Sequence, residues 1–207
     1  MNYDFNNIDS EQWKYTSINQ FKKFEFKCID NNPIIASPEY DITISNNSFI
    51  ASKNLNKNIA IYSLSESIKK NNCDIKDIIK NEKNDYRNPF IDLNNSNEGI
   101  LIHIKHSSKI NNPIKIKFDC QKQIDDNFIN NKIFILIDDN VKATIILNEQ
   151  FNEICYLNSL LRIFIKKNSI LNFIHYSQKI HSTQIFNFLC SIQENSILNL
   201  FPIDIKG

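Results

Sequence analysis

Lys167-Asn168-Ser169-Ile170-Leu171-Asn172-Phe173 returns as Glu194-Asn195-Ser196-Ile197-Leu198-Asn199-Leu200, displaced by 27 residues. A weaker copy, Asp139-Asn140-Val141-Lys142-Ala143-Thr144-Ile145, precedes the first by 28. In each copy an alternating apolar strand runs into a polar corner and then into another strand. No helical pattern separates the copies. A repeat of this period suggests rungs of a stacked all-β coil, because each unit leaves an apolar face that only its neighbour can cover. Such a coil serves as a scaffold or binding surface more readily than as a pocket for one reaction.

The same rhythm extends outward. From Pro89 onward the apolar period is two. Gly99 to His106 reads as a strand, and so does Pro113 to Phe118, with lysines on one face. Lys132 to Ile137 and Thr144 to Leu147 continue the series. Leu160 to Ile165, Ile170 to Ile174, Ile185 to Leu189 and Ile197 to Leu200 complete it. Strands at this density, joined by Asn, Asp, Ser and Lys corners, predict an all-β core. A blade or a Greek-key sandwich competes, but like corners at a fixed spacing are most simply parallel rungs. Burying Ile and Leu at about 25 cal/mol per Å² holds such a stack together. A charge at Ile163 or Ile170 is therefore expected to be far worse than one at Lys167.

The first half is more mixed. Residues 1–30 are aromatic-rich, with Trp13, Tyr15, Phe21, Phe24 and Phe26 expected to anchor the segment on the main body. Tyr40 to Ile44, Ser48 to Ile50 and Ile59 to Leu64 read as strands. Ser65 ahead of Glu66 is a plausible helix cap, and one or two short helices are expected between residues 65 and 82. Residues 81–88 read as a linker, ended by Asn88-Pro89 because the residue before proline resists helix. The expected organisation is residues 1–88 as an α+β N-terminal region and residues 89–207 as the β core. The chain stops soon after the third copy with no evident cap, so the core is expected to be incomplete at that end, as in a truncated protein.

Composition narrows the function. Lys and Arg number 24 against 23 Asp and Glu, a formal charge of +1. The arginines are Arg87 and Arg162, a thin supply for bidentate phosphate or base readout, so no nucleic-acid partner is expected. No apolar run reaches membrane-spanning length, and the polar start is not expected to act as a secretory signal. The 5 cysteines lack any Cys-x-x-Cys pair and read as reduced thiols in a cytoplasmic setting.

Catalytic signatures are missing. Gly99 and Gly207 cannot build a phosphate loop. Asp125-Asp126 and Asp138-Asp139 are adjacent at corners, where side chains diverge rather than oppose, and read as solvated. His103 and His106 are expected on opposite faces of one strand. His175, His181 and Cys190 could approach after one turn, but no metal motif supports a centre there. No catalytic, cofactor-binding or metal-ligating residue is assigned.

Trp13 to Thr16, the strand Ile59 to Leu64 with its Ser65-Glu66 helix start, Asn88 to Asn94, Gly99 to Ile104 and Pro113-Ile114 occur in a shared order. With Tyr156 to Ser159, the Asn168-Ser169 corner and Tyr176 to Gln178, this order resembles the SufB/SufD family of iron–sulfur cluster assembly proteins, and its SufD branch more than SufB. The resemblance implies a right-handed parallel β-helix preceded by a small helical region. It implies a non-enzymatic scaffold that pairs with a SufB-like paralogue and a SufC-like ATPase. The iron–sulfur cluster is then handled transiently by the complex, with no cofactor bound by this chain alone. The family's later coils, its cluster-associated histidine and its SufC-docking helices lie beyond the matched region. None of the histidines here takes that role.

Overall fold

In a computed structural model, residues 18–27, 34–45, 47–69, 88–93, 98–106, 110–119, 128–151, 155–179 and 182–206 are described. They form a mostly-β protein. The strands are β1 (Phe26–Lys27), β2 (Ile42–Ser45), β3 (Ser48–Ala51), β4 (Ile59–Ser63), β5 (Ile100–Ile104) and β6 (Ile114–Asp119). They continue as β7 (Phe128–Ile137), β8 (Lys142–Phe151), β9 (Tyr156–Ile165), β10 (Ile170–Lys179), β11 (Thr183–Ile192) and β12 (Ile197–Lys206). Two short helices, α1 (Leu64–Lys69) and α2 (Pro89–Leu93), and a single 3-10 turn at Ile18–Phe21 complete the described elements.

The strands make two mixed sheets of 6. One runs β11-β9-β7-β5-β4, with β1 also on β7; the other runs β12-β10-β8-β6-β2-β3. From β5 onward successive strands join alternate sheets, and from β7 onward each bonds in parallel to the strand two before it. The repeated phrases are therefore direct neighbours: Ile170 pairs with Ile197 on one side and Lys142 on the other. Among the described residues, antiparallel pairing is confined to β2 with β3 and β4 with β5.

The corners explain why asparagine recurs. Asn140, Asn168 and Asn195 hold φ of 57°, 56° and 57°. Asn tolerates this left-handed backbone better than other side chains, which lets a glycine-poor chain turn. The Asn168 N–H donates to the Glu194 carbonyl at 3.1 Å, and the Asn140 N–H to that of Lys167 at 3.0 Å. Ser169, fully buried, accepts from the Val141 N–H at 3.0 Å and donates to the Asp138 carbonyl at 2.7 Å. Ser196 repeats the arrangement against Ser169 and Lys166. Replacing Asn168 by Ala should cost about 1 kcal/mol in urea unfolding, whereas Asn168→Gly should stay within about 0.5 kcal/mol of the parent.

Alternation along the strands sorts the core. Ile145, Leu147, Leu171 and Phe173 from one sheet meet Ile135, Leu161, Ile163 and Ile165 from the other, all at most 2% exposed. Ile163 sits in this interior as expected. Ile170 does not: it lies half-buried on the outer face, because the alternation that sends Leu171 inward sends Ile170 outward. The expected equivalence of those two sites is corrected accordingly.

The outer face of the β7–β9 sheet is also covered. Leu64 of α1 and Ile91 of α2 pack on Leu101, Phe134 and Leu160. Phe21, Phe24 and Phe26 cluster with Phe90, Phe128 and Tyr156, with Phe26 stacked on Phe128 at 5.1 Å. Trp13 and Tyr15 lie outside the described residues. Buried asparagines fasten α2: Asn130 Nδ2 donates to the Leu93 carbonyl and Asn158 Nδ2 to the Phe90 carbonyl, each at 2.8 Å.

Two local expectations change. The cap of α1 is Ser63, whose Oγ accepts the Glu66 N–H at 3.2 Å, rather than Ser65. Asn88-Pro89 opens a helix instead of only closing a linker: Asn88 Oδ1 accepts the Phe90 N–H at 3.0 Å, and proline takes the first helical position, where no N–H is needed. The rest of the expected helical stretch, residues 70–82, lies outside the described residues.

Candidate functional site

Three places gather polar or reactive groups. The first is inside the core. Glu149 follows Ala143, Ile145 and Leu147 on the inward row of β8 and is 1% exposed. Its Oε2 lies 2.8 Å from His175 Nε2 of β10. Gln184 of β11, from the opposite sheet, donates to both Glu149 oxygens at 3.4 and 3.3 Å and to Ser159 Oγ at 3.2 Å. Phe186 stacks on the imidazole at 4.7 Å. A buried carboxylate requires such partners. In the neutral ring, Nε2–H donates to Glu149, which fixes the tautomer and leaves Nδ1 as the acceptor. The cluster thus ties the two sheets together through side chains.

The second place is the corner after β7. Asp138 Oδ1 lies 3.0 Å from Lys166 Nζ, and Oδ2 lies 2.9 Å from His103 Nε2. Oδ2 also accepts the His106 N–H at 3.2 Å. Of the two histidines, only His103 reaches Asp138 through its side chain; His106, already in the turn after β5 ends at Ile104, contributes its backbone N–H. Asp138 is tied down rather than solvated. Desolvation pushes its pKa up, but hydrogen bonds and charge from Lys166 and His103 outweigh this and hold it below the usual carboxylate range. A lowered folded pKa stabilises the native state above the unfolded value of about 3.9, and that contribution is lost as pH falls through the folded value. Asp138→Asn should therefore cost about 1 kcal/mol near neutral pH, with the gap closing below about pH 4 in urea titrations.

The third is a surface hollow of about 330 Å³ near the start of the sheets. Asp41, Asn54, Asn56 and Asn111 rim it, over Ile59 and Ile114. Asp41 Oδ2 is already engaged by the Lys115 N–H at 2.8 Å.

The free ends of the sheets differ from all of these. Among the described residues, each of β11 and β12 has one bonded neighbour. Ile197, Phe201, Ile203 and Ile205 on the outer row of β12 are 50%, 52%, 45% and 41% exposed. Large exposed apolar side chains clustered on one strand are the signature of a contact surface.

Of the residues weighed from sequence, His175 belongs to the Glu149 cluster and Cys190 does not. His181 lies outside the described residues. Cys190 is a free, exposed thiol, although local desolvation pushes its pKa up and weakens it as a nucleophile. Cys155 is disulfide-bonded, which corrects the expectation of reduced cysteines throughout. Among the described residues, no group of three or more His, Cys, Asp or Glu is arranged to hold a metal ion. Glu149 escaped notice in the sequence. Its signal is a polar residue on the inward row, in register with Phe118 and Ser177.

No helix among the described residues is long and apolar enough to cross a membrane. Comparison with protein families, with curated proteins and with solved structures finds no match to this chain.

Proposed function

We propose that this chain is a non-catalytic scaffold subunit of the SufB/SufD type, its core a right-handed parallel β-helix. The observation that carries the reading is the parallel register of the repeated phrases, with successive strands from β5 to β12 alternating between two sheets. The short helices before β5 and the sequence order from Asn88 to Ile104 support it further. In this reading the chain acts with a SufB-like paralogue and a SufC-like ATPase, and the iron–sulfur cluster is cargo of the assembly. ATP turnover belongs to the ATPase. Nucleic acid and membrane have no part. A cytoplasmic location goes with the proposal, and the Cys155 disulfide is the observation that pulls against it.

An anaerobic pull-down from the native host, with the tagged chain as bait, tests the assignment. Recovery of both SUF proteins, with lower iron–sulfur enzyme activity on deletion of the gene, is the expected result. A folded bait that recovers neither protein overturns it. The exposed row on β12 favours a second reading, a general protein-binding module; recovery of a reproducible partner outside the SUF system would select that reading.

A further inference from the structure

We infer that the surface hollow near the start of the sheets is a binding site for a neutral carbohydrate, a mono- or disaccharide. Three separate links build it: Asp41 ahead of β2, residues 54–56 between β3 and β4, and residues 110–113 ahead of β6. Backbone hydrogen bonds fix each of them. The Asp41 N–H donates to the Lys115 carbonyl at 2.9 Å, and the Ser52 N–H to the Asp41 carbonyl at 2.8 Å. The Ile59 N–H donates to the Asn56 carbonyl at 2.8 Å, and the Ile110 N–H to the Lys142 carbonyl at 3.4 Å. The floor is equally set, since Ile59 and Ile114 belong to the buried core and Leu55 and Ile110 pack against it. A hollow of about 330 Å³ with an aliphatic floor and a few placed polar groups has the proportions of a small-molecule site.

The polar groups select the ligand. Asp41 Oδ2 is held by the Lys115 N–H at 2.8 Å, which leaves Oδ1 uncommitted among the described residues. Asn56 Oδ1 accepts the Asn58 N–H at 3.0 Å, so its Nδ2 is left to donate. The rim thus offers a fixed carboxylate acceptor and a fixed amide donor, with further amides from Asn54 and Asn111. Neighbouring ring hydroxyls use both roles at once, since each donates its proton and accepts through its oxygen. A hydroxyl that donates to a carboxylate makes a charge-assisted bond, stronger than one between neutral groups. The apolar C–H face of a sugar ring is then laid on the aliphatic floor. Other ligand classes fit less well. Among the described lining residues none is basic, so an anion would meet the Asp41 charge with nothing to offset it. None is aromatic, so a nucleobase has no ring to stack on. Asp41 is the one carboxylate among them, where calcium sites draw on several.

Titration of the wild-type chain with neutral sugars, followed by nitrogen–proton NMR correlation spectra, tests the assignment. The panel is glucose, galactose, mannose, N-acetylglucosamine, maltose and cellobiose. At least one is expected to bind with a dissociation constant on the order of 1 mM, as suits a small polar ligand without an aromatic platform. Its shifts should centre on the Asn54, Asn56 and Asn111 amides. Asp41→Asn keeps an oxygen for the Lys115 N–H but turns the free acceptor into a donor, and is expected to weaken that binding at least about tenfold. Asn111→Ala changes an exposed residue outside the strands and is expected to weaken it about threefold, with the circular dichroism spectrum unchanged. No shifts with any of these sugars, shifts centred elsewhere, or binding unchanged in the variants overturns the proposal. Inorganic phosphate and calcium chloride are titrated alongside; shifts of the same amides by either one in place of a sugar also overturn it.

Discussion

Ile163→Asp should leave no folded protein at neutral pH, while Ile170→Asp should fold with a moderate loss and Lys167→Asp should be nearly silent. Ile163 is fully buried between Ile135 and Cys190, its neighbours on β7 and β11, and faces the common interior of the two sheets. An ionised carboxylate there has no cation or donor to meet it, and the cost exceeds the several kcal/mol by which a domain of this size is stable. Ile170 keeps part of its surface in water, so its Asp variant sheds only local contacts. Lys167 is exposed and joins Glu194 at 3.4 Å, a surface pair worth under about 1 kcal/mol. Because an unfolded variant yields no number, Ile163→Ala supplies one: a loss of about 3 kcal/mol in urea unfolding. Equal losses for Asp at 163 and 170 would show that the interior does not lie between the sheets.

Gly99→Ala is expected to rank next, with a loss of about 3 kcal/mol and a melting temperature lower by about 10 °C. Gly99 has φ of 138°, which side chains other than glycine rarely adopt. A Cβ at this position would stand 2.7 Å from Leu64 Cδ1 and 2.8 Å from the Lys132 carbonyl oxygen. Leu64 could rotate away. The Lys132 carbonyl belongs to β7 and cannot move without disturbing the sheet. The Gly99 carbonyl also accepts the Leu64 N–H at 2.9 Å, joining the start of β5 to α1. The double variant Gly99→Ala with Leu64→Ala should recover little of the loss, because backbone strain and the carbonyl clash remain. Near-complete recovery would place the strain in the leucine side chain alone.

The fold was legible where the sequence repeats. The Asn140, Asn168 and Asn195 corners announce a shared backbone shape, and the structure gives all three the same left-handed φ. Period-two alternation located the strands from Gly99 onward but understated their reach. β9 and β11 span 10 residues each, beyond the predicted Leu160–Ile165 and Ile185–Leu189. Their missing ends carry Asn158, Ser159 and Gln184, polar residues that break the apolar pattern because they bond to the covering helix or across the interior. Ile170 was misplaced for a related reason. Apolar residues fall on both sides of β10, and composition alone does not say which row looks inward. The Glu149 cluster was least legible of all. Its members lie on β8, β9, β10 and β11, and only the pairing of those strands makes them neighbours.

The two sets of links between strands differ in how constant their length is. Residues 138–141, 166–169 and 193–196 link strands through segments of constant length, whereas 152–155 and 180–182 differ by one. That single residue accounts for the change in spacing from 28 to 27, and neither flanking strand loses its alignment. Lengthening the chain on this second flank leaves every later side chain pointing the way it did before. Genetic splicing of a peptide tag or a fluorescent reporter belongs there, while the asparagine flank has no slack to accept one.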